Sequence, residues 1–105
     1  MNKIYSMLGL CIKAGKLAYG SDMVINNIKK KKVKLIILSE DASENTKKKF
    51  IELANENNLK IIIFGKKEDL NQKIGEENKV VFGVLDENFS KSIIKLFEDL
   101  KGAII

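Results

Sequence analysis

Any chemistry in this chain must come from carboxylates, a single thiol, lysines and the backbone itself, because histidine and tryptophan are absent. The missing imidazole excludes His-containing metal sites and imidazole general bases. Three groups of residues remain. Glu40 and Asp41 stand side by side in "SEDAS", at the end of a strand-like run, where α/β active sites often lie. Adjacent acids at such a place are more often loop or helix-cap residues than an acid–base pair. Cys11 follows Ile4, Met7 and Leu8 and precedes Ile12 at the spacing of an amphipathic helix, which makes it a core residue rather than a nucleophile. No nucleophile–base set emerges. The third group is "KLAYGSDMVINNIKKKKVKLIILSEDAS", residues 16–43. It fails the phosphate-loop pattern, which requires lysine where Ser21 stands, and the dinucleotide pattern, because no further glycines follow Gly20. It has instead the marks of a helix start that can meet an anion. The first amides of a helix are unpaired and carry the positive end of its dipole, and Gly20 permits close approach. Ser21 and Asp22 are placed to cap the helix or to reach a partner beyond it. At the other end, Lys29 to Lys32 complement the dipole's negative end and leave a basic patch.

Charge supports an anionic partner. The net charge is +5. Residues 1–41 hold eight lysines against three acids, whereas the rest of the chain balances eleven against eleven. Such asymmetry marks one face for a polyanion. All 19 basic residues are lysine, however, and a lysine-biased composition also fills surfaces by default. One cysteine permits no internal disulfide, and a reducing cytoplasm is the expected location. "MNKIYSMLGLCIKAG" resembles an export signal only faintly. Leu10 precedes the cysteine where a small residue is needed, and Lys13 interrupts the apolar run. No stretch is long enough to span a membrane.

At 105 residues, a single domain covering 1–105 is expected. The pattern predicts a helix over about 2–14 stopped by Gly15, a short edge strand from Leu17 to Tyr19, and a helix from about Asp22 to Lys31 with Val24, Ile25 and Ile28 inward. "VKLIILS" and "LKIIIF" read as buried strands, separated by a helix that Ser43 caps. "KKEDLNQKIG" is a short helix ending at Gly75, and "KVVFGVLD" is a third buried strand. "NFSKSIIKLFEDLKG" closes the chain and is stopped by Gly102. Alternating helices and strands predict an α/β fold: a three-layer α/β/α sandwich whose mixed sheet of about four strands has helices on both faces.

Three motifs carry a family resemblance that extends from about Leu8 to Leu100. They are "GSDMVIN" at 20–26, "KLIILSEDAS" at 34–43 and "KEDLNQKIG" at 67–75. Together they resemble the kink-turn RNA-binding ribosomal L-seven-Ae family, and the "AGKL" lead-in is similar to a small bacterial branch of it. The resemblance implies a non-enzymatic protein without cofactor or metal. Its partner would be structured RNA, kink-turn or ribosomal, with no membrane and no DNA specificity. In that family the helix start carries asparagine, glutamate and lysine, where this chain has Asp22, Met23 and Asn26. Asp22 can still accept from a guanine edge, whereas Met23 cannot. Glu40, Asp41 and Lys67 match the family pattern. The implied RNA-contacting residues are Gly20, Ser21, Asp22 and Asn26 at the helix start, with Glu40 and Asp41. Lys16, Lys29, Lys32, Lys67 and Lys79 would supply charge. Lys79 ends an acidic loop, "EENK", where Glu76 and Glu77 would repel phosphate. That loop and the altered helix start also suit a protein-interaction module that keeps the fold without the RNA site. The oligomeric state is not legible.

Overall fold

A computed structural model describes residues 2–104, with side chains to residue 101. The elements run α1 (Lys3–Lys13), β1 (Leu17–Tyr19), α2 (Ser21–Lys29), β2 (Leu35–Leu38) and α3 (Glu44–Glu56). They continue with β3 (Lys60–Ile63), α4 (Lys67–Ile74), β4 (Val81–Val84) and α5 (Glu87–Ile104). The strands form one mixed sheet in the order β1-β4-β2-β3. β2 pairs in parallel with β3 and antiparallel with β4, which pairs antiparallel with β1.

The apolar runs explain the layers. Side chains alternate across a strand, so Leu35 and Ile37 enter one core while Ile36 and Leu38 enter the other. The first core is closed by α1, α4 and α5 through Ile4, Leu8, Cys11, Leu70, Ile74 and Ile93. The second is closed by α2 and α3 through Val24, Ile28, Phe50 and Ala54. This is the expected three-layer sandwich.

Three expectations need correction. "LKIIIF" forms the outer strand β3, not a buried one: Lys60 is exposed and Ile63 is 40% exposed. β4 takes the other side of β2, and a continuous apolar run cannot by itself tell a central strand from an outer one. The second helix ends at Lys29, because Lys31 turns to a left-handed φ of 59°. Within that helix Ile25 is half-buried and packs against the second core with Val24 and Ile28, as expected. The closing helix passes Gly102 and reaches Ile104; glycine weakens a helix interior without ending it.

Strand direction divides the molecule into two ends. β1, β2 and β3 run the same way and β4 runs against them. Gly20, the 39–43 loop, the 64–66 turn and the 75–80 loop therefore gather at one end of the sheet. The carboxyl ends of α1, α2 and α3, each leading into the next strand, gather at the other.

Candidate nucleic-acid interface

The amino end of α2 differs from every other helix start. Asn2 caps α1 by accepting from the Ile4 amide (2.7 Å), and Ser43 caps α3 by accepting from Thr46 (3.1 Å). Asp86 accepts from Phe89 (2.9 Å) at the start of α5. α4 has no cap of its own, but Asp41 reaches across and accepts from the Lys67 amide (2.9 Å). α2 begins at Gly20, with no side-chain cap. Ser21 and Asp22 lie inside the helix and do not cap it, contrary to expectation. The Ser21, Asp22 and Met23 amides have no partner among the described residues. Gly20 has φ 85° and ψ 153°, a conformation reserved for glycine, and its own amide is tied to the Val81 carbonyl (2.9 Å). The Lys79 side chain lies across it: a Cβ on Gly20 would stand 3.4 Å from Lys79 Cδ and 3.8 Å from Nζ. An ammonium group thus lies against Gly20, the residue that the three open amides follow.

Glu40 and Asp41 are the joinery of this end rather than a catalytic pair. Glu40 exchanges hydrogen bonds with Gly65: its amide donates to the Gly65 carbonyl (2.7 Å), and its carboxylate accepts from the Gly65 amide (3.3 Å). The Glu40 carboxylate also lies 3.5 Å from the Lys66 ammonium, an exposed pair that adds little to stability. The Lys67 amide holds the Asp41 carboxyl below its ordinary range. Together the two acids fix where Lys66 and Lys67 stand. Gly65 itself is required. Its φ is +76°, and a Cβ there would meet Tyr5 Oη at 2.6 Å and Leu70 Cγ at 3.3 Å. Gly65→Ala is therefore expected to destabilise the fold by about 2–4 kcal/mol, from left-handed strain plus overpacking. Urea unfolding measures this, and an unchanged midpoint would mean that the turn relaxes freely.

One residue of this end is absent from the sequence-based candidates. Asn71, on α4, is 5% exposed and holds the 75–80 loop. Its Nδ2 donates to the Lys67 carbonyl (2.6 Å) and the Lys79 carbonyl (2.8 Å), and its Oδ1 accepts from the Lys79 amide (3.0 Å). Asn71 thereby ties the backbone carrying Lys67 to the backbone carrying Lys79. The available signal was a polar residue beside Leu70, one turn before Ile74, on the inward face of a short helix.

The candidate residues therefore form two groups. Gly20, Ser21, Asp22, Glu40, Asp41, Lys67 and Lys79 share the open-helix end of the sheet, and Asn26 lies exposed farther along α2. Lys16, Lys29 and Lys32 are at the opposite end. A nine-residue helix advances about 13 Å, so these lysines do not surround Gly20. At the open-helix end the carboxylates of Asp22, Glu40, Asp41, Glu68, Glu76 and Glu77 outnumber the ammonium groups of Lys66, Lys67 and Lys79. The basic excess that the sequence displays lies elsewhere.

Comparison with known proteins agrees with the fold. The model of the ribosomal protein L7Ae/L30e/S12e/Gadd45 family matches residues 2–94. RNA-binding protein YlxQ of Enterococcus faecium is 34% identical over 96 residues, covering 91% of this chain and 92% of that protein. RNA-binding protein YlxQ of Bacillus subtilis is 35% identical over 94 residues, covering 90% and 94%. A solved structure of a protein of unknown function from Bacillus halodurans superposes with a TM-score of 0.89 at 33% identity, covering 93% of this chain and 99% of its own. With a family match over nearly the whole length and relatives of that identity and coverage, this chain belongs to the ribosomal protein L7Ae/L30e/S12e/Gadd45 family.

Proposed function

We propose that this chain is a non-enzymatic protein that binds structured RNA, kink-turn or ribosomal, at the amino end of α2. The observation that carries the proposal is that end itself: it is the helix start left uncapped, its amides are free, and Lys79 lies over Gly20. Free amides at a helix start take anionic oxygen. In this reading the Ser21, Asp22 and Met23 amides receive RNA oxygens. Asp22 accepts from a guanine edge, and Lys67 and Lys79 neutralise flanking phosphates. Glu40 and Asp41 contribute by holding the turn that presents Lys67. Lysine is a point charge, so these contacts position the RNA more than they read it.

Binding of a kink-turn RNA and of a plain duplex, each as a function of salt, tests this. Two lysines on phosphates give a log–log salt slope of about −1.5 for the kink-turn RNA. Asp22→Ala should cost about 1–3 kcal/mol on the kink-turn RNA and little on the duplex. Asn26→Lys restores the family's cation and should favour the kink-turn RNA over the duplex. If Asp22→Ala tightens binding to both RNAs alike, Asp22 only repels phosphate and the placement is wrong.

A second reading, a protein-docking surface, has its own support. Met23 is 41% exposed at the helix start, amid the carboxylate excess described above. Apolar docking would be nearly insensitive to salt, and the same titration separates it from RNA binding.

A further inference from the structure

The lysines at the far end of the sheet form a surface of their own. Lys16, Lys31, Lys32 and Lys34 line one depression together with Gly15 and Leu85. The backbone holds them there. The Leu85 amide donates to the Lys16 carbonyl (2.8 Å), and the Lys34 amide donates to the Val84 carbonyl (2.7 Å). No acidic residue lines the depression. None of these four ammonium groups has a carboxylate within ion-pair distance among the described residues. The nearest acid in sequence, Asp86, is occupied in capping α5.

Two features argue against a solvated surface lysine run. The first is magnitude. The carboxyl ends of α1 and α2 together present about one negative charge to this end. Four lysines in the depression, with Lys29 and Lys30 just before them, exceed what those dipoles need. The second is conformation. α1, α2 and α3 all finish with the same pair of hydrogen bonds, from the second residue past the cap and from the first. The pairs are Lys16 to Cys11 and Gly15 to Ile12, Lys32 to Asn27 and Lys31 to Ile28, and Leu59 to Ala54 and Asn58 to Asn55. This ending places the first residue past the cap in the left-handed region: Gly15 at φ 70°, Asn58 at 55° and Lys31 at 59°. Glycine and asparagine tolerate that conformation. Lysine does so at a cost, and strain of this kind gathers where a side chain has work to do.

We infer that this lysine-lined depression is a second RNA-docking surface, which takes the phosphate backbone of a double-stranded segment without regard to sequence, so that one protein can hold two separate RNA segments at opposite ends of its sheet. A duplex is favoured over an anionic membrane because Leu85, half-buried, is the one large apolar residue of the depression, whereas membrane surfaces pair basic residues with apolar ones that insert. The inference rests on the reading that the chain binds RNA, but not on the α2 site.

The test uses the full chain, a kink-turn RNA and a plain RNA duplex of about 16 base pairs, labelled with different dyes. Coincidence of the two dyes in one complex is read by fluorescence cross-correlation. Wild type should carry both, and duplex binding should show a salt slope of about −3 for four neutralised phosphates. The fourfold variant Lys16→Gln, Lys31→Gln, Lys32→Gln, Lys34→Gln should keep the kink-turn RNA and lose the duplex, while the fourfold arginine variant should keep both. Lys31→Gly alone should raise the melting temperature and yet weaken duplex binding about fivefold at low salt. A purely structural residue would show only the first effect. Equal duplex binding by wild type and the glutamine variant overturns the proposal while leaving the α2 reading intact if the kink-turn RNA still binds. Duplex binding that survives when kink-turn binding fails strikes the α2 reading alone. Absence of all RNA binding at low salt overturns both, and binding to anionic lipid vesicles in place of the duplex overturns the proposal alone.

Discussion

Asn71→Ala is expected to lower stability by about 2–4 kcal/mol and, at temperatures where the variant remains folded, to weaken any RNA contact at the α2 end. The substitution removes three hydrogen bonds at once. It leaves the Lys79 carbonyl and amide without their partner, while the Lys67 carbonyl stays in the helical hydrogen-bond pattern of α4, and a buried polar group left unpaired costs about 1–3 kcal/mol. The sum stays below two full penalties because Lys79 is only half-buried and water reaches part of the gap. The functional effect follows from position. Without the Asn71 side chain the Lys79 end of the 75–80 loop is no longer tied to α4, although the Glu76 amide keeps its bond to the Asn71 carbonyl (3.0 Å), and Lys79 loses its place across Gly20. Gln72→Ala is the control: Gln72 is the exposed neighbour on the same helix, and its change should stay within about 0.5 kcal/mol. Chemical denaturation of both variants decides the matter. Equal midpoints would mean that the loop is held by its own turn rather than by Asn71.

The same residue shows where sequence reading stops. Periodicity located the amphipathic helices, whose buried face repeats every 3.6 residues whatever the tertiary context, and continuous apolar runs located the three long strands. Cys11 on its helical stripe is 0% exposed, as that spacing required. Ser43 caps α3 as its type and place predicted. Three things lay beyond local pattern. The burial of "KIIIF" depended on which strand became central, a matter of pairing order. The distribution of the lysines depended on chain direction. Lys16 and Lys29 flank the Gly20 helix in sequence, but both fall at the far end of the sheet because β1 runs away from that end and α2 returns to it. The partners of Asp41 and Asn71 lie on other segments, Lys67 for the first and Lys79 for the second. Asp41 was legible as a strand-end acid of the loop or helix-cap kind, but the helix it serves was not. That it closes the amino end of α4, leaving α2 as the open helix start, is a tertiary fact.

Cys11 gives the sharpest expectation in alkaline solution. Burial, with a smaller contribution from the Asp86 charge, pushes its thiol up to about 12, and its Sγ donates to the Lys16 carbonyl (3.2 Å). An exposed thiol titrates near 8.5. Between these values the unfolded chain releases the proton and the folded chain keeps it, so the folded state binds more protons and stability falls as pH rises. The contribution is intact below about pH 8.5 and is lost towards pH 12, at about 1.4 kcal/mol per pH unit. Burial also raises the Tyr5 hydroxyl above its usual value, and the informative quantity is therefore a difference. Cys11→Ala should cost about 1 kcal/mol at neutral pH through the small cavity it leaves. Its stability should then fall less steeply than that of wild type above pH 9, and the two curves should cross about one pH unit later. Denaturant titrations from pH 7 to 11 measure both slopes, and parallel curves would show that the thiol ionises without opening the core. Thiol-reactive labelling checks the same burial independently. Native protein should resist the reagent at neutral pH and react once denaturant is added. Fast native labelling would mean that the contact between Cys11 and the Lys16 carbonyl opens readily, and with it the backbone turn that sets Lys16 at the edge of the lysine-lined depression.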